Sequence, residues 1–141
     1  MTEKQAEGMG TFLHPVRLGR LNGSRWEDID ALVDTGSTYT WIPRPLLNRL
    51  GIPPTDSRRL HMADGRVIER EAGLALITVR DSTVATLCIF GDVESMPLLG
   101  AVSLEELSVA VDPVQRRLVP VIGYAGLPVT PASGATPEGS G

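Results

Sequence analysis

The chain has 141 residues, of which 42% are hydrophobic and 21% are charged, and its formal net charge is -4. This balance is typical of one globular domain with a core, and it offers no basic patch for nucleic acid. No apolar stretch approaches the roughly 20 residues that span a bilayer. The single cysteine, Cys88, cannot form a disulfide or a thiolate metal cage within one chain. We therefore expect neither nucleic acid nor a membrane as a partner, and no metal site built from cysteine thiolates.

The two ends of the chain differ in composition from the middle. Residues 1–10 are polar and lack the apolar segment of a secretory signal, so we expect a flexible N-terminus and a cytoplasmic protein. Residues 123–141 are rich in Gly, Pro, Ser and Thr, which predicts a flexible tail. Residues 11–122 contain short apolar runs separated by turn signals, and this pattern predicts a single all-β domain.

The first part of this domain predicts a hairpin followed by a short helix. Residues 11–21 and 25–33 have the composition of two strands. They are joined at Asn22 and Gly23, a dipeptide that readily adopts the positive φ of a tight hairpin turn. Residues 44–51 predict one or two helical turns, with proline near the start and glycine as a left-handed stop.

The middle of the domain predicts two further hairpins. Residues 61–69 contain a turn at 63–66 between two potential strands. Residues 73–80 and 83–90 are apolar on both faces and are separated by a turn at 81–82. A strand that is apolar on both faces is typical of a fully buried position, so we expect these two strands to be the most buried.

The last part of the domain predicts a short helix and two closing strands. Ser103 is followed three residues later by Glu106, which is the spacing of a capping box and predicts a helix over 103–107. Residues 109–113 and 116–122 predict the final two strands.

An acid stands where the second strand ends. The apolar residues 31–33 lead directly into Asp34, which is followed by Thr35, Gly36 and Ser37. Taken alone, the tripeptide Asp34-Thr35-Gly36 is as compatible with a structural turn as with a functional site. Asp accepts local backbone hydrogen bonds, and Gly adopts a positive φ at no steric cost. The decision between a turn and a functional site therefore depends on the flanking sequence.

Several features in the same order resemble the aspartic peptidases, in particular the single-domain, retropepsin-like branch. An apolar strand enters the Asp-Thr-Gly-Ser of 34–37, and a strand with Trp41 follows. A hairpin turn at 64–65 occupies the place of the flap, and Leu-Leu-Gly at 98–100 precedes a short helix. The last glycine lies 66 residues (100 minus 34) after the acid. The resemblance implies a closed β-barrel or sandwich with one or two short helices.

The resemblance also implies an aspartic endopeptidase with Asp34 as the catalytic acid or base and with no cofactor. Hydrolysis by this chemistry needs two facing carboxylates that share one proton. The chain contains a single Asp-Thr-Gly and is too short for a second lobe. A two-fold axis brings the same residue of two copies to one point. We therefore expect a homodimer with one active site that cleaves peptide or protein substrates.

The residues around the acid receive supporting roles from the resemblance. Thr35 is expected to hydrogen-bond across the dimer, and Gly36 to let the backbone pass close to the carboxylate and the substrate. Ser37 is expected to donate its hydroxyl to an Asp34 oxygen, which favours activity on the acidic side of neutral. Three residues, Leu98, Leu99 and Gly100, are expected to pack beneath the catalytic loop.

A flap formed by residues 62–66 is expected to cover an extended peptide. Its members are Met62, Ala63, Asp64, Gly65 and Arg66. The tip carries two charged residues, whereas retroviral flap tips are Gly-rich and apolar, so a solvated turn is an equally good interpretation of this hairpin.

Two positions depart from the retroviral pattern in a way that bears on the dimer. Many retroviral enzymes pair an Arg after the hydrophobic-hydrophobic-Gly with an acid just after the catalytic turn, and this chain has Ala101 and Thr38 there. The dimer is therefore expected to lack one ion pair that supports retroviral dimers. The alternative function is a non-catalytic domain of the same fold that dimerises or binds an extended peptide.

Overall fold

The computed structural model describes residues 11–123 and residue 126. The predicted flexible N-terminus over 1–10 lies outside the described residues. The predicted tail over 123–141 lies outside them too, apart from residues 123 and 126.

The described residues form nine strands and two short helices, which agrees with the expected all-β class. In chain order they are β1 (Phe12–Gly19), β2 (Trp26–Val33), β3 (Thr40–Pro43), α1 (Arg44–Arg49), β4 (Asp56–His61), β5 (Val67–Val79), β6 (Ser82–Gly91), β7 (Leu98–Leu99), α2 (Ala101–Glu106), β8 (Val109–Asp112) and β9 (Arg117–Pro120).

The main sheet closes on itself into a barrel. Its strands are ordered β1-β2-β7-β3-β6-β5-β4, and β1 also pairs with the C-terminal half of β5. The N-terminal half of β5 pairs with β4 instead, so the β4–β5 hairpin extends from the wall of the barrel. The strands β8 and β9 form a separate antiparallel pair. The prediction of a closed β-barrel is confirmed.

The predicted turns occur where the sequence favours positive φ. Gly23 lies in the β1–β2 turn at φ 73°, Gly65 in the β4–β5 turn at φ 90°, and Gly51 follows α1 at φ 74°. The turn between β5 and β6 is formed by Arg80 and Asp81 rather than by residues 81–82, and Arg80 adopts a φ of 56°.

The core lies inside the barrel, and this corrects the prediction that residues 73–80 and 83–90 are buried on both faces. On β5, Ala75, Ile77 and Val79 are buried, whereas Leu74 is 43% exposed. A barrel strand faces the interior with only alternate residues, so the other face meets solvent unless another element covers it. Of these two strands, β6 is buried on both faces at its end, over 88–91, and β5 is buried on both faces only at residues 72–73.

The capping-box prediction for residues 103–107 is wrong. The helix α2 begins two residues earlier, with Gly100 at its N-cap position and no side-chain cap from the described residues. Ser103 is fully buried inside the helix and its hydroxyl contacts Thr40 and Thr86. The prediction failed because the first two amides of the helix donate hydrogen bonds to backbone carbonyl groups of a loop that is distant in the sequence, and these bonds take the place of a side-chain cap.

Candidate active site

Asp34 is positioned by the hydrogen-bond ladder of the barrel. The strands β2 and β7 run parallel, with Val33 opposite Leu99. The amide of Asp34 continues this ladder by donating to the carbonyl oxygen of Leu99 at 3.0 Å. The acid is therefore the first residue beyond β2, whose residues Ala31 and Val33 are buried, and the side chain of Asp34 is half-buried.

The carboxylate of Asp34 is oriented by its own loop. The amide of Gly36 donates to Oδ1 of Asp34 at 2.9 Å, and the amide of Ser37 donates to the Asp34 carbonyl oxygen at 3.2 Å. A Cβ on Gly36 would lie 3.2 Å from Oδ1, which is a tight contact. The loop therefore fits most comfortably with glycine at this position.

The hydroxyl of Ser37 does not make the bond that the sequence suggested. Its Oγ donates to the carbonyl oxygen of Tyr39 at 2.8 Å and not to Asp34. The Tyr39 carbonyl lies two residues further along the same turn, so this local acceptor takes the hydroxyl. Thr35 is exposed and forms no hydrogen bond to another described residue, so its predicted bond across a dimer stays a prediction.

The segment Leu98–Gly100 lies directly beneath the loop. Leu98 pairs with Trp41 of β3, and Leu99 is 1% exposed within the core. A Cβ on Gly100 would lie 2.3 Å from the carbonyl oxygen of Tyr39, so only glycine fits there. The short strand β7 thus separates β2 from β3 and supports the loop between them.

The start of α2 holds the other end of the loop. The amide of Ala101 donates to the carbonyl oxygen of Ser37 at 2.8 Å, and the amide of Val102 donates to that of Thr38 at 3.0 Å. These bonds replace a side-chain cap for the helix. Sequence reasoning missed them because every group involved belongs to the backbone, which carries no residue-specific signal.

A cleft of about 610 Å³ opens beside Asp34. The loop residues 36–39 form one wall of it, and residues 59–63 of β4 and the following turn form another. Trp41 and Leu98 complete the lining. The cleft lies between Asp34 and the β4–β5 hairpin, and three of its lining residues, Tyr39, Trp41 and Leu60, were not identified as site residues from the sequence.

Only part of the predicted flap reaches this cleft. Met62 and Ala63 line it, whereas Asp64, Gly65 and Arg66 do not. The tip is closed locally, because the Asp64 carboxylate accepts bonds from the Arg66 amide at 3.0 Å and from its Nε at 2.7 Å. Both hydrogen bonds hold the pKa of Asp64 below its usual value, and the bond from the Arg66 amide has the larger effect, followed by the bond from the Arg66 guanidinium. The charged tip is therefore a self-contained turn at the solvent surface.

A further contact joins the hairpin to the loop. The guanidinium of Arg58 on β4 lies 5.9 Å from the centroid of the Tyr39 ring and is also paired with Asp56. A cation over an aromatic face is attractive at this distance. This contact holds the wall formed by β4 against the wall formed by the loop.

The described residues offer no metal cluster, and the one cysteine among them is buried. Within residues 11–123, no group of three or more His, Cys, Asp or Glu side chains is arranged to hold a metal ion. Burial raises the pKa of the Cys88 thiol to about 12, as expected for an inert core residue. No helix among these residues is long and apolar enough to cross a membrane.

Comparison with known proteins identifies the family and the fold. The family model described as aspartyl protease matches residues 18–113, a range that includes both the Asp34 loop and Leu98–Gly100. No curated protein matches the sequence significantly.

Solved structures are similar at low sequence identity. The EIAV protease in complex with the inhibitor HBY-793 is 18% identical, covers 68% of this chain and 86% of its own, and has a TM-score of 0.52. A retropepsin-like aspartic protease from Rickettsia conorii is 20% identical over 72% and 84% of the two chains, with a TM-score of 0.47. The Simian foamy virus (mac) protease is 16% identical over 67% and 94%, with a TM-score of 0.46. The barrel described above has the retropepsin-like fold.

Proposed function

The chain belongs to the aspartyl protease family, and we propose that it is an endopeptidase that acts as a homodimer with one Asp34 from each copy. One observation carries the proposal. The Asp34 carboxylate stands in a loop fixed by backbone bonds on both sides, and it borders a cleft that suits an extended peptide. A carboxylate held in this way at a cleft is positioned for chemistry rather than only for a turn.

A second copy of the chain is needed because the cleft of one chain supplies a single carboxylate. Among the described residues that line the cleft, Asp34 is the one acidic side chain. Peptide hydrolysis requires a base that activates water and an acid that protonates the carbonyl oxygen. Two facing carboxylates supply both, because charges of like sign a few Å apart favour one shared proton. A two-fold axis near Asp34 would supply the second carboxylate, and the exposed Thr35 beside it would meet its symmetry mate.

The reaction then needs only the two carboxyl groups and water. The ionised carboxylate takes a proton from the water, whose oxygen attacks the peptide carbonyl carbon. The protonated carboxyl donates its proton to the carbonyl oxygen, which gives a tetrahedral diol. The carboxyl group that took the proton from water then passes it to the amide nitrogen, and the other carboxylate takes a proton back from a diol hydroxyl as the C–N bond breaks. An acid and an amine are released, and one proton is again shared by the two carboxylates.

Substrate would enter the cleft in an extended form. The wall formed by β4 and the following turn presents Leu60 and Met62 together with Arg59 and His61. The opposite wall presents Tyr39 and Trp41. Apolar and aromatic walls bind side chains by burial, while an extended backbone can pair with strand-like hydrogen bonds. The site therefore suits a peptide segment rather than a compact small molecule.

The decisive experiment compares Asp34→Asn with a matched control, Asp30→Asn. Asp30 lies four residues earlier on the exposed face of β2 and does not line the cleft. We expect the Asp34 variant to lose about 10³-fold or more in kcat/KM on a mixed peptide pool read by mass spectrometry between pH 4 and 7.5. The Asp30 variant should cut like the unmodified chain, and equal cleavage by all three proteins would refute the assignment.

Mixing the proteins tests the dimer separately. If one site needs both carboxylates, subunit exchange with equimolar Asp34→Asn should reduce the activity of a fixed amount of the unmodified chain to about one half, and a ninefold excess to about one tenth. Addition of Asp30→Asn should not reduce it. An enzyme that works as a monomer would be unaffected by either partner.

The non-catalytic alternative gives a different result in the same assays. Its supporting observation is the charged hairpin tip, which closes on itself and does not line the cleft. A pure binding domain would bind the peptides equally with Asp34 and with Asn at that position, and no product would form with either protein.

A further inference from the structure

Three hydroxyl groups meet in the interior of the domain, close to the loop but away from the cleft. They belong to Thr40 at the start of β3, Thr86 on β6 and Ser103 in α2, and we call them the hydroxyl cluster. Their residues are 1%, 1% and 0% exposed. Ser103 Oγ lies 2.6 Å from Thr40 Oγ1 and 2.7 Å from Thr86 Oγ1.

The hydroxyl cluster also receives a backbone group. The amide of Gly100 donates to Thr40 Oγ1 at 3.0 Å. In a medium of low dielectric such bonds are strong, and a buried donor that loses its acceptor is left with no water to replace it. The cluster therefore fixes Gly100 relative to β3 and fixes α2 relative to both β3 and β6.

Gly100 and the first turn of α2 are the groups that hold the catalytic loop. The two amides that follow Gly100 donate to the carbonyl oxygens of Ser37 and Thr38. Thr40 itself lies two residues beyond Thr38 along the chain. Any shift of α2 relative to β3 must therefore strain or break the bonds that shape the loop between Asp34 and β3.

We propose that the hydroxyl cluster positions the Asp34 carboxylate by holding the N-terminus of α2 against the loop. This inference rests on the proposed function. Thr86 and Ser103 do not line the cleft, so they act through the loop and are positioning residues. Packing alone would not require three hydroxyl groups here, since a valine has nearly the shape of a threonine and satisfies no hydrogen bond.

That difference supplies a matched pair of variants at Thr86, whose hydroxyl is joined to the rest of the cluster through Ser103. Thr86→Val keeps the shape and removes the hydroxyl, whereas Thr86→Ser keeps the hydroxyl and removes a methyl group. We expect Thr86→Val to lower kcat about tenfold with KM within about twofold, because small misplacements of a catalytic group cost rate rather than binding. Thr86→Ser should retain kcat within about twofold.

Two further variants guard against a purely structural explanation. Ile77→Val removes one methyl group from a fully buried position on β5, outside the hydroxyl cluster, and gives the baseline for a general loss of stability. Ser103→Ala is measured in the same way and replaces Thr86→Val if that protein does not fold. A kcat for Thr86→Val that falls no further than that for Ile77→Val overturns the proposal.

Hydrogen exchange of the Ala101 and Val102 amides provides a readout that does not depend on activity. We expect about tenfold faster exchange at these two amides in Thr86→Val than in Thr86→Ser or Ile77→Val. Unchanged exchange overturns the proposal even if kcat falls. Faster exchange in Thr86→Val, together with an unmodified chain that cleaves no peptide, removes the proposed function but still supports the positioning of the loop.

Discussion

Replacing Gly100 by alanine tests whether the loop depends on close backbone contact at the N-cap position of α2. The backbone of Gly100 is extended, with φ −98° and ψ 179°, so alanine meets no conformational penalty there. The added Cβ, however, would lie 2.3 Å from the carbonyl oxygen of Tyr39, 2.5 Å from its carbonyl carbon and 2.9 Å from the carbonyl oxygen of Ser37. Steric overlap with these backbone atoms, and not the backbone conformation of residue 100, therefore excludes the methyl group.

The expected loss in the free energy of unfolding follows from the kind of atoms that must move to make room for the methyl group. The shortest contact is more than 1 Å below an optimal separation of about 3.5 Å, and both neighbours are backbone groups that cannot rotate away. We expect a loss of about 3 kcal/mol in the free energy of unfolding. For a domain of this size that corresponds to a melting temperature about 12 °C lower. Because the loop itself must shift, kcat should fall about 10²-fold in the molecules that stay folded.

Thermal unfolding and peptide cleavage below the melting temperature measure the two effects. Gly91→Ala is the matched control, since Gly91 is also buried but its Cβ would meet the movable Ser95 hydroxyl at 2.8 Å and backbone only at 3.4 Å. The control should lose much less stability and keep its activity. A Gly100→Ala protein that melts within about 2 °C of the unmodified chain would refute the reasoning.

Two further predictions concern titrating groups. Burial raises the pKa of the Cys88 thiol from 9.0 to about 12, so unfolding releases a proton above pH 9, and the free energy of unfolding should fall as the pH rises from 9 to 12. At pH 8 an alkylating reagent should modify Cys88 at least about 10³-fold more slowly than in urea, and rapid modification of the native protein would contradict its burial. The lowered pKa of Asp64 means that the hairpin tip is stabilised at neutral pH and loses this contribution as the pH falls below about 4. The Arg66 amide resonance should move over that range and should not move in Asp64→Asn.

Local signals in the sequence were sufficient for most of the elements. Asn22-Gly23 and the glycine at 65 mark hairpin turns because positive φ is costly for other residues, and the structure confirms both turns. The alternation in β2, with Ala31 and Val33 buried and Asp30 exposed, follows from the two-residue period of a strand. The order of the motifs then indicated which barrel these elements form.

The errors arose where long-range contacts override a local pattern. Ser103 has the spacing of a capping residue but is buried against Thr40 and Thr86, which lie 63 and 17 residues away in the sequence. The Ser37 hydroxyl was assigned to Asp34 from its proximity in sequence, whereas the turn presents the Tyr39 carbonyl instead. Neither the partner of a hydroxyl nor the cap of a helix by a distant backbone group has a sequence signature.

The closure of the barrel and the geometry of the candidate site depend on the same bonds. The parallel pairing that places β7 beside β2 ends with the Asp34 amide on the Leu99 carbonyl, and the antiparallel pairing of Leu98 with Trp41 closes the next step around the barrel. A substitution that weakens the pairing of β7 must therefore both open the sheet and loosen the backbone hydrogen bond that positions Asp34. At residues 98–100 a substitution that changes the stability of the domain must therefore also change the position of the carboxylate. At Thr38 and Ala101, by contrast, the loop is held by backbone hydrogen bonds, which almost any side chain at these positions leaves intact.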